Sequence, residues 1–450
     1  MASKNLYRLK TSYQTYDWGK QGSTSLVAKL APGSVGPEFK VDENTIYAET
    51  WMGTHSNGPA SIYGTSQSLK DLIDANPQHF LGSAYQKWPK STEVPFLFKI
   101  LCAGKALPLQ AHPDKKLGEE LNRQDQGKGE FVDANHKPEI AVTIGDPLEE
   151  DWGEEGVAFL GFVGFRPLEE IRFFLQHVSE LRRAVGDEGV VSQFMSSPSK
   201  ETLKRLYTQL LERGKNDVRG VAAEVDALVQ RIQEGRAQLG QEGKLVLKAH
   251  AQYPGDVGVL ATAFFMNLMK LKRGEAVYCG ADEVHAWLAG EIIECMAVSD
   301  NVLNAAFVPP GERDIGTFVN MLTYTARAPG EWVLPRKAYE RSRHGKTQKF
   351  DPPLEEFSVL WTVLGKGAAG EGEVLGASPG PTIGIVTKAG TRSGALASGE
   401  GQVRFDACGE RVEVPVGGVV FVAPGTDVAV SVVGAEGEAE MWWATCDTKS

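Results

Sequence analysis

Gln110 and His112 stand two residues apart in Leu107-Pro-Leu-Gln-Ala-His-Pro-Asp114. In an extended strand, side chains at i and i+2 share a face, so this pair would aim into one cavity. A third candidate, His285, follows a turn of Gly, Asp and Glu far downstream, in Gly280-Ala-Asp-Glu-Val-His-Ala-Trp287. Glu139 comes directly after Pro138, which stiffens the chain before a new strand. Two imidazoles, an amide and a carboxylate can hold a catalytic divalent metal and leave a position open for water or a substrate oxygen. Mixed N/O donors suit zinc, with manganese or iron as the next choices. Isolated histidines are more often core or surface groups, and His79, His177, His250 and His344 are read that way.

Three textures surround these residues. From about Tyr7 to Phe165 the chain alternates turns with short apolar runs such as Pro95-Phe-Leu-Phe-Lys-Ile-Leu101, Ile140-Ala-Val-Thr-Ile144 and Val157-Ala-Phe-Leu-Gly-Phe-Val163, which predict strands. A short helix is expected over Leu69 to Ala75. From Pro167 the spacing turns helical, with Ile171, Phe174, Leu175 and Val178 at i, i+3, i+4, i+7 behind a first turn holding Glu169 and Glu170. Ser197-Pro198 opens another helix and Val221 to Leu239 forms a third. Asp256 caps a last one, whose apolar face carries Leu260, Phe264, Leu268 and Leu271. After Lys272 period-two alternation returns in Gly274-Glu-Ala-Val-Tyr-Cys279 and Gly290-Glu-Ile-Ile-Glu-Cys-Met296. The second run sets Glu291, Ile293 and Cys295 opposite Ile292, Glu294 and Met296. A charged stretch, 336–346, leads into a Gly-rich region of short strands without a convincing helix, a second all-β unit. Gly274 to His285 aligns without a gap on Gly417 to Val428, as in a duplicated β unit in which only one copy keeps a histidine.

The bulk numbers exclude several classes. A chain of 450 residues, 42% hydrophobic, has room for two or three domains. A net charge of −11 argues against a general nucleic-acid binder, although a local cluster of Lys and Arg can still hold an anion. No apolar run is long enough for a signal peptide or a membrane span. Five scattered cysteines without a CxxC read as reduced thiols of a cytoplasmic protein. No exposed apolar seam stands out, and a monomer is expected.

Further motifs recur along the chain: Tyr16-Asp-Trp-Gly19, Tyr47-Ala-Glu-Thr-Trp-Met-Gly-Thr-His55, Gln110-Ala-His-Pro-Asp-Lys115, Asp133-Ala-Asn-His-Lys-Pro-Glu139, Val284-His-Ala-Trp287, Glu294-Cys-Met296, Ser299-Asp-Asn301 and Asp351-Pro-Pro353. In this order, over most of the chain, they resemble the type I phosphomannose isomerases, zinc enzymes of the cupin superfamily. The resemblance implies a mainly β fold with an α-helical insertion: two cupin-type (jelly-roll) β-barrels plus a helical domain. Its boundaries would be 1–165 and 273–340 for the catalytic cupin domain, 166–272 for the insertion, and 341–450 for a C-terminal cupin-like domain lacking metal ligands. It also implies reversible isomerisation of mannose 6-phosphate and fructose 6-phosphate, feeding GDP-mannose synthesis and glycosylation. One zinc per chain would sit on Gln110, His112, Glu139 and His285. Aldose–ketose conversion passes through an enediol, which needs a proton carrier and a cation for the developing oxygen charge. Glu294 matches the family's active-site glutamate, with Glu291 on the opposite face as the ordinary alternative. Lys99 and Lys137 match family lysines near the substrate, and Asp17, Trp18, Glu49 and Tyr278 would complete the pocket.

The chain also departs from the family pattern. Pro108 stands where members usually carry a serine, Asn304 where they carry an arginine, and Pro309-Pro310 where a lysine is expected, with a one-residue insertion before Asp314. Arg313, in the altered loop, is the expected replacement cation, with Glu294 and Lys137 the other catalytic groups. Two other classes compete with the isomerase. A metal-dependent oxygenase on the same barrel would prefer a His-rich iron site. A non-catalytic carbohydrate-binding double barrel is supported only by the changes at Pro108, Asn304 and Pro310.

Overall fold

The computed structural model describes residues 4–89, 91–125, 131–365, 372–390, 401–433 and 438–447. The apolar run after Pro95 becomes the fully buried strand Phe96–Ala103. It pairs with Glu49–Met52 on one side and with the thirteen-residue strand His285–Ala297 on the other. That long strand is the spine of a 10-stranded sheet. Its first part pairs with Val157–Phe165 and touches Leu109–Ala111, and its second part pairs with Glu139–Thr143. The two parts meet at Gly290, whose φ of +113° bends the strand; a Cβ there would lie 2.4 Å from the Ala158 carbonyl oxygen.

Helices occupy the chain from Leu168 to Phe265. Leu168–His177 starts after Pro167, carries Glu169 and Glu170 in its first turn, and buries Ile171, Phe174 and Leu175 as the spacing predicts. Ser199 caps Lys200–Asn216 through a reciprocal pair of bonds with Thr202, and Leu203, Leu206, Tyr207 and Leu210 face inward. The last helix is shorter than its spacing suggested. Gly258–Phe265 stops, and Met266–Lys272 runs on as a strand antiparallel to Val157–Phe165. Leu268 and Leu271 therefore belong to the sheet, and the helical segment ends before residue 272. Strand pairing wins because it gives Val157–Phe165 a second partner, and Asn267 Nδ2 donates to the carbonyls of Val163 and Phe165 at 3.1 and 2.9 Å.

The second β unit is an 8-stranded sheet facing a 4-stranded one, with no helix after the Pro329–Trp332 turn among the described residues. Its last two strands, Leu6–Lys10 and the edge strand Ser61–Ile62, come from within the expected segment 1–165. Leu6–Lys10 pairs with Val419–Val422, so the chain begins in the C-terminal sheet. Leu6 packs with Val420 and Met441 in one core, Leu9 with Phe421 and Trp442 in another. A strand apolar on both faces must lie between two cores, and this sheet provides them.

The same second core is shared by both units. Phe98, Ile100, Ile293 and Cys295 of the first sheet meet Phe350, Ile385 and Trp442 of the other. On the inner face of the first sheet Leu101, Val163, Val277, Trp287 and Ile292 cluster separately. The class is thus the expected one, mainly β with a helical insertion, built from sheets packed face to face whose ladders keep open edges among the described residues. The two aligned segments also match in detail. Gly274 and Gly417 have φ of +79° and +84°, and each amide donates at 2.8 Å to a neighbouring strand, at Thr143 and Val386. Buried Val428 begins a strand, as His285 does.

Candidate active site

Leu109–Ala111 carries Gln110 opposite His285 in the ladder, and His112 follows immediately. Glu139 opens the strand Glu139–Thr143, whose pairing with the second half of the long strand brings it to the same place. His112, Glu139 and His285 offer ligand atoms all within 4.8 Å of one another, and all three are buried. His285 Nε2 lies 3.0 Å from Glu139 Oε1, and His112 Nε2 lies 3.4 Å from Oε2. Tetrahedral zinc with ligand bonds near 2.0 Å sets its donors about 3.3 Å apart, so these separations fit. Both Glu139 oxygens and His285 Nε2 are buried without a hydrogen-bond partner among the described residues, which an ion at their centre would satisfy.

The other ring nitrogens are already engaged. His112 Nδ1 faces the Asn301 carbonyl at 2.9 Å and His285 Nδ1 faces the Glu283 carbonyl at 3.0 Å. Only a protonated nitrogen can bond a carbonyl, so each Nδ1 carries a hydrogen and Nε2 is the atom left facing the cluster. Burial, then the nearby Lys137 ammonium, push the His112 imidazole down to about 3, keeping it neutral as a ligand must be. Burial works against the Glu139 carboxylate, but His285, Lys137 and His112 outweigh it and hold it well below the usual range. The donor set therefore suits zinc, and Gln110 lines the adjoining cavity.

That cavity holds about 340 Å³ and is walled by Glu49, Lys99, Gln110, Lys137, Glu294 and Asp300 among others. Lys137 Nζ is 3.7 Å from Glu139 and 3.5 Å from His112 Nε2. Lys99 donates to Glu294 Oε2 at 2.9 Å and lies 3.4 Å from Glu49. Burial alone would weaken the Lys99 ammonium, but Glu294 and Glu49 reverse this and raise its pKa. Burial raises the Glu294 pKa, with Lys99 opposing. Residues from five strands or their ends thus build one pocket that holds a buried carboxylate–ammonium pair, and its lining residues Gln110 and Lys137 adjoin the His112–Glu139–His285 cluster.

Comparison with known proteins agrees with this architecture. Residues 6–153 match the catalytic-domain model of type I phosphomannose isomerase, and 183–266 match its helical insertion domain. Mannose-6-phosphate isomerases of Candida albicans and Saccharomyces cerevisiae are 34% and 36% identical over 96% and 94% of both chains. The Schizosaccharomyces pombe protein is 38% identical over 88% of this chain and 92% of its own. The chain belongs to the type I phosphomannose isomerase family. It is accordingly an enzyme, an aldose–ketose isomerase. Among solved structures, a mannose 6-phosphate isomerase bound with zinc and yttrium covers 98% of this chain and all of its own, with a TM-score of 0.77 at 25% identity. The apo form from Salmonella typhimurium superposes with a TM-score of 0.76 over 99% of this chain and all of its own, at 24% identity, a likeness of fold.

Within this chain the other expected residues divide. Glu49 and Trp18 line the pocket, and Glu294 faces it while Glu291 turns away to Lys20 Nζ at 3.0 Å. Asp17 lies outside, in a second cavity of about 700 Å³ that shares Trp18, Pro108 and Asn304 with the first. There it pairs with Lys105 at 2.9 Å. Tyr278 lines neither cavity, because it pairs with Ile140 between the ligand-bearing strand and a loop. Arg313 does not enter the metal pocket either. Its guanidinium is buried and spent on Asp256 Oδ2 at 2.6 Å and on the carbonyls of Val308 and Gly214. It clamps the loop to the helical segment. Asn304 Oδ1 is buried without a hydrogen-bond partner among the described residues, and Asn304 lines both cavities.

Three features escaped the sequence reading. Trp287 Nε1 donates to Glu294 Oε1 at 3.0 Å, Trp51 Nε1 donates to Glu49 Oε2 at 2.6 Å, and His55 pairs with the cavity residue Asp300 at 3.0 Å. The signal for Trp287 was present: it sits at i+2 from His285, the same relation that singled out Gln110 and His112.

Proposed function

We propose that this chain interconverts D-mannose 6-phosphate and D-fructose 6-phosphate with one bound zinc ion, supplying mannose for GDP-mannose synthesis and glycosylation. The observation that carries the reading is the buried His112–Glu139–His285 cluster, whose Glu139 oxygens and His285 Nε2 lack a hydrogen-bond partner among the described residues, beside a cavity lined by Lys137, Lys99 and Glu294. Gln110 completes the ligand set from across the ladder. Bound there, the ion supplies Lewis-acid stabilisation of the charge that grows on the sugar oxygens. Glu294 carries the proton between the two adjacent carbons, and burial suits it by raising its pKa toward neutrality. Lys99 holds the ionised form of that carboxylate, and Lys137 places a second cation beside the developing charge. Trp18 and Glu49 shape the sugar's seat.

The chain works as a cytoplasmic monomer that binds a small hexose phosphate and neither nucleic acid nor membrane. Its acidic charge supports this, and its described cysteines are all free. No described helix is long and apolar enough to cross a membrane. Purified protein should convert mannose 6-phosphate, lose activity with a strong chelator and regain it with zinc. Glu294→Gln should lower kcat by about a thousandfold with zinc content unchanged, the scale at which a general acid–base group contributes. Metal-replete protein inert toward mannose 6-phosphate would refute this function.

A further inference from the structure

We infer that Trp287 is a positioning residue that fixes the plane of the Glu294 carboxylate in the reaction cavity. This rests on the proposed isomerase reading with Glu294 as proton carrier. Trp287 and Glu294 belong to one strand, His285–Ala297, seven residues apart. In a straight strand they would lie about 23 Å apart and on opposite faces. Here the indole N–H and the carboxylate meet at 3.0 Å. The bend is built for this. Gly290 takes φ +113° against the backbone of Ala158, and the ladder to Val157–Phe165 slips between Leu160 and Gly161.

The indole is fully buried and has little freedom. Its ring lies 5.6 Å from Phe159, and a Cβ at Gly161 would approach it to 2.9 Å. Its other neighbour is the ligand imidazole of His285, with ring centroids 5.4 Å apart. Glu294 therefore has one oxygen held by the Lys99 ammonium and the other by the indole. Two donors on two oxygens stop rotation about the last side-chain bond, so the lone pair that meets the substrate carbon keeps its direction. Without the indole, Lys99 alone holds the group, and the carboxylate can turn toward the ammonium and away from the sugar. Misalignment of this kind lowers kcat, because binding does not depend on it.

Trp287→Phe should lower kcat by about tenfold, leaving KM within about twofold, since one charge-assisted hydrogen bond is lost. Zinc content and the thermal midpoint, measured on the same samples, report whether the site remains built. Trp287→His should restore part of the loss, because imidazole Nε2 lies as many bonds from Cβ as indole Nε1. Equal kcat in the Phe and His variants, whether unchanged or lowered, would reduce the indole to a space filler and overturn the assignment. A measurement without turnover covers the case in which Phe does not fold. In protein labelled with 15N at its nine tryptophans, Glu294→Gln should shift one indole N–H resonance, the one missing from Trp287→His. No shift would also overturn it. Wild-type protein that does not turn over mannose 6-phosphate defeats the functional reading and this one together, whereas active wild type with equal variants defeats this one alone.

Discussion

Single residues here are defined by what holds their second polar atom. Both ligand histidines give Nδ1–H to a backbone carbonyl, which frees Nε2 for a metal, and Glu294 has a donor on each oxygen. Arg313 shows the converse. Asp256 and two carbonyls accept from its guanidinium, and it lines the second cavity rather than the metal pocket. Replacing it with alanine removes the guanidinium from half-buried Asp256, which keeps only the amides of Gly258 and Phe307, so Arg313→Ala should lower stability by about 2 kcal/mol. The urea midpoint should fall while KM for mannose 6-phosphate stays within about twofold. A raised KM in a chain of unchanged stability would place Arg313 at the substrate after all.

At the scale of elements, the bent strand His285–Ala297 joins the proposed metal ligand His285 to the proposed proton carrier Glu294. Gly290→Ala should be among the most damaging small substitutions, since its φ is left-handed and the added methyl meets the Ala158 carbonyl. A loss of about 2 kcal/mol follows from such backbone strain, and kcat should drop further than the folded fraction does. Denaturation and kinetics on the same preparation separate the two effects. The strand Glu373–Leu375 gives a pH test remote from the site. Burial works to raise the Glu373 pKa, but the Ser342 hydroxyl and the amides of His344, Lys346 and Val374 outweigh it, so the pKa is lowered. A depressed carboxylate stabilises the fold above its ordinary pKa of about 4.5 and loses that contribution as pH falls through the folded value. Glu373→Gln should therefore flatten the loss of stability below about pH 4.5, as followed by thermal midpoints across that range.

At the scale of the whole molecule, the two β units share a core and an ion pair. Arg273, next to the left-handed Gly274, reaches both oxygens of Glu440 at 2.7 Å, and the chain's first strand closes onto Val419–Val422. Deleting residues 1–10 should therefore destabilise the C-terminal sheet, visible as early loss of hydrogen-exchange protection at 419–422 while 96–103 stays protected. Zinc bound at the proposed site would link it to global stability. Free zinc at a hundred times its dissociation constant adds about 2.7 kcal/mol by mass action. The thermal midpoint should rise on zinc addition in the wild type and stay flat in His285→Ala.

Local chemistry was legible in the order of residues. The i, i+2 pair Gln110 and His112, the proline before Glu139, the period-two run through Glu294 and the helical spacing after Pro167 each state a local preference that the fold honours. Met266–Lys272 and Leu6–Lys10 were not legible, because a short apolar run acquires its state from the strand it pairs with. Arg313 and Tyr278 were expected in the pocket and Trp287 was given no role, because the surroundings of all three are set by segments far away in the chain. Sequence alone determined which side chains could bind a metal and move a proton, since those are properties of the groups themselves. Tertiary structure decided which of them meet, because a single bend at Gly290 and the ladder across it turn a separation along the chain into a hydrogen bond.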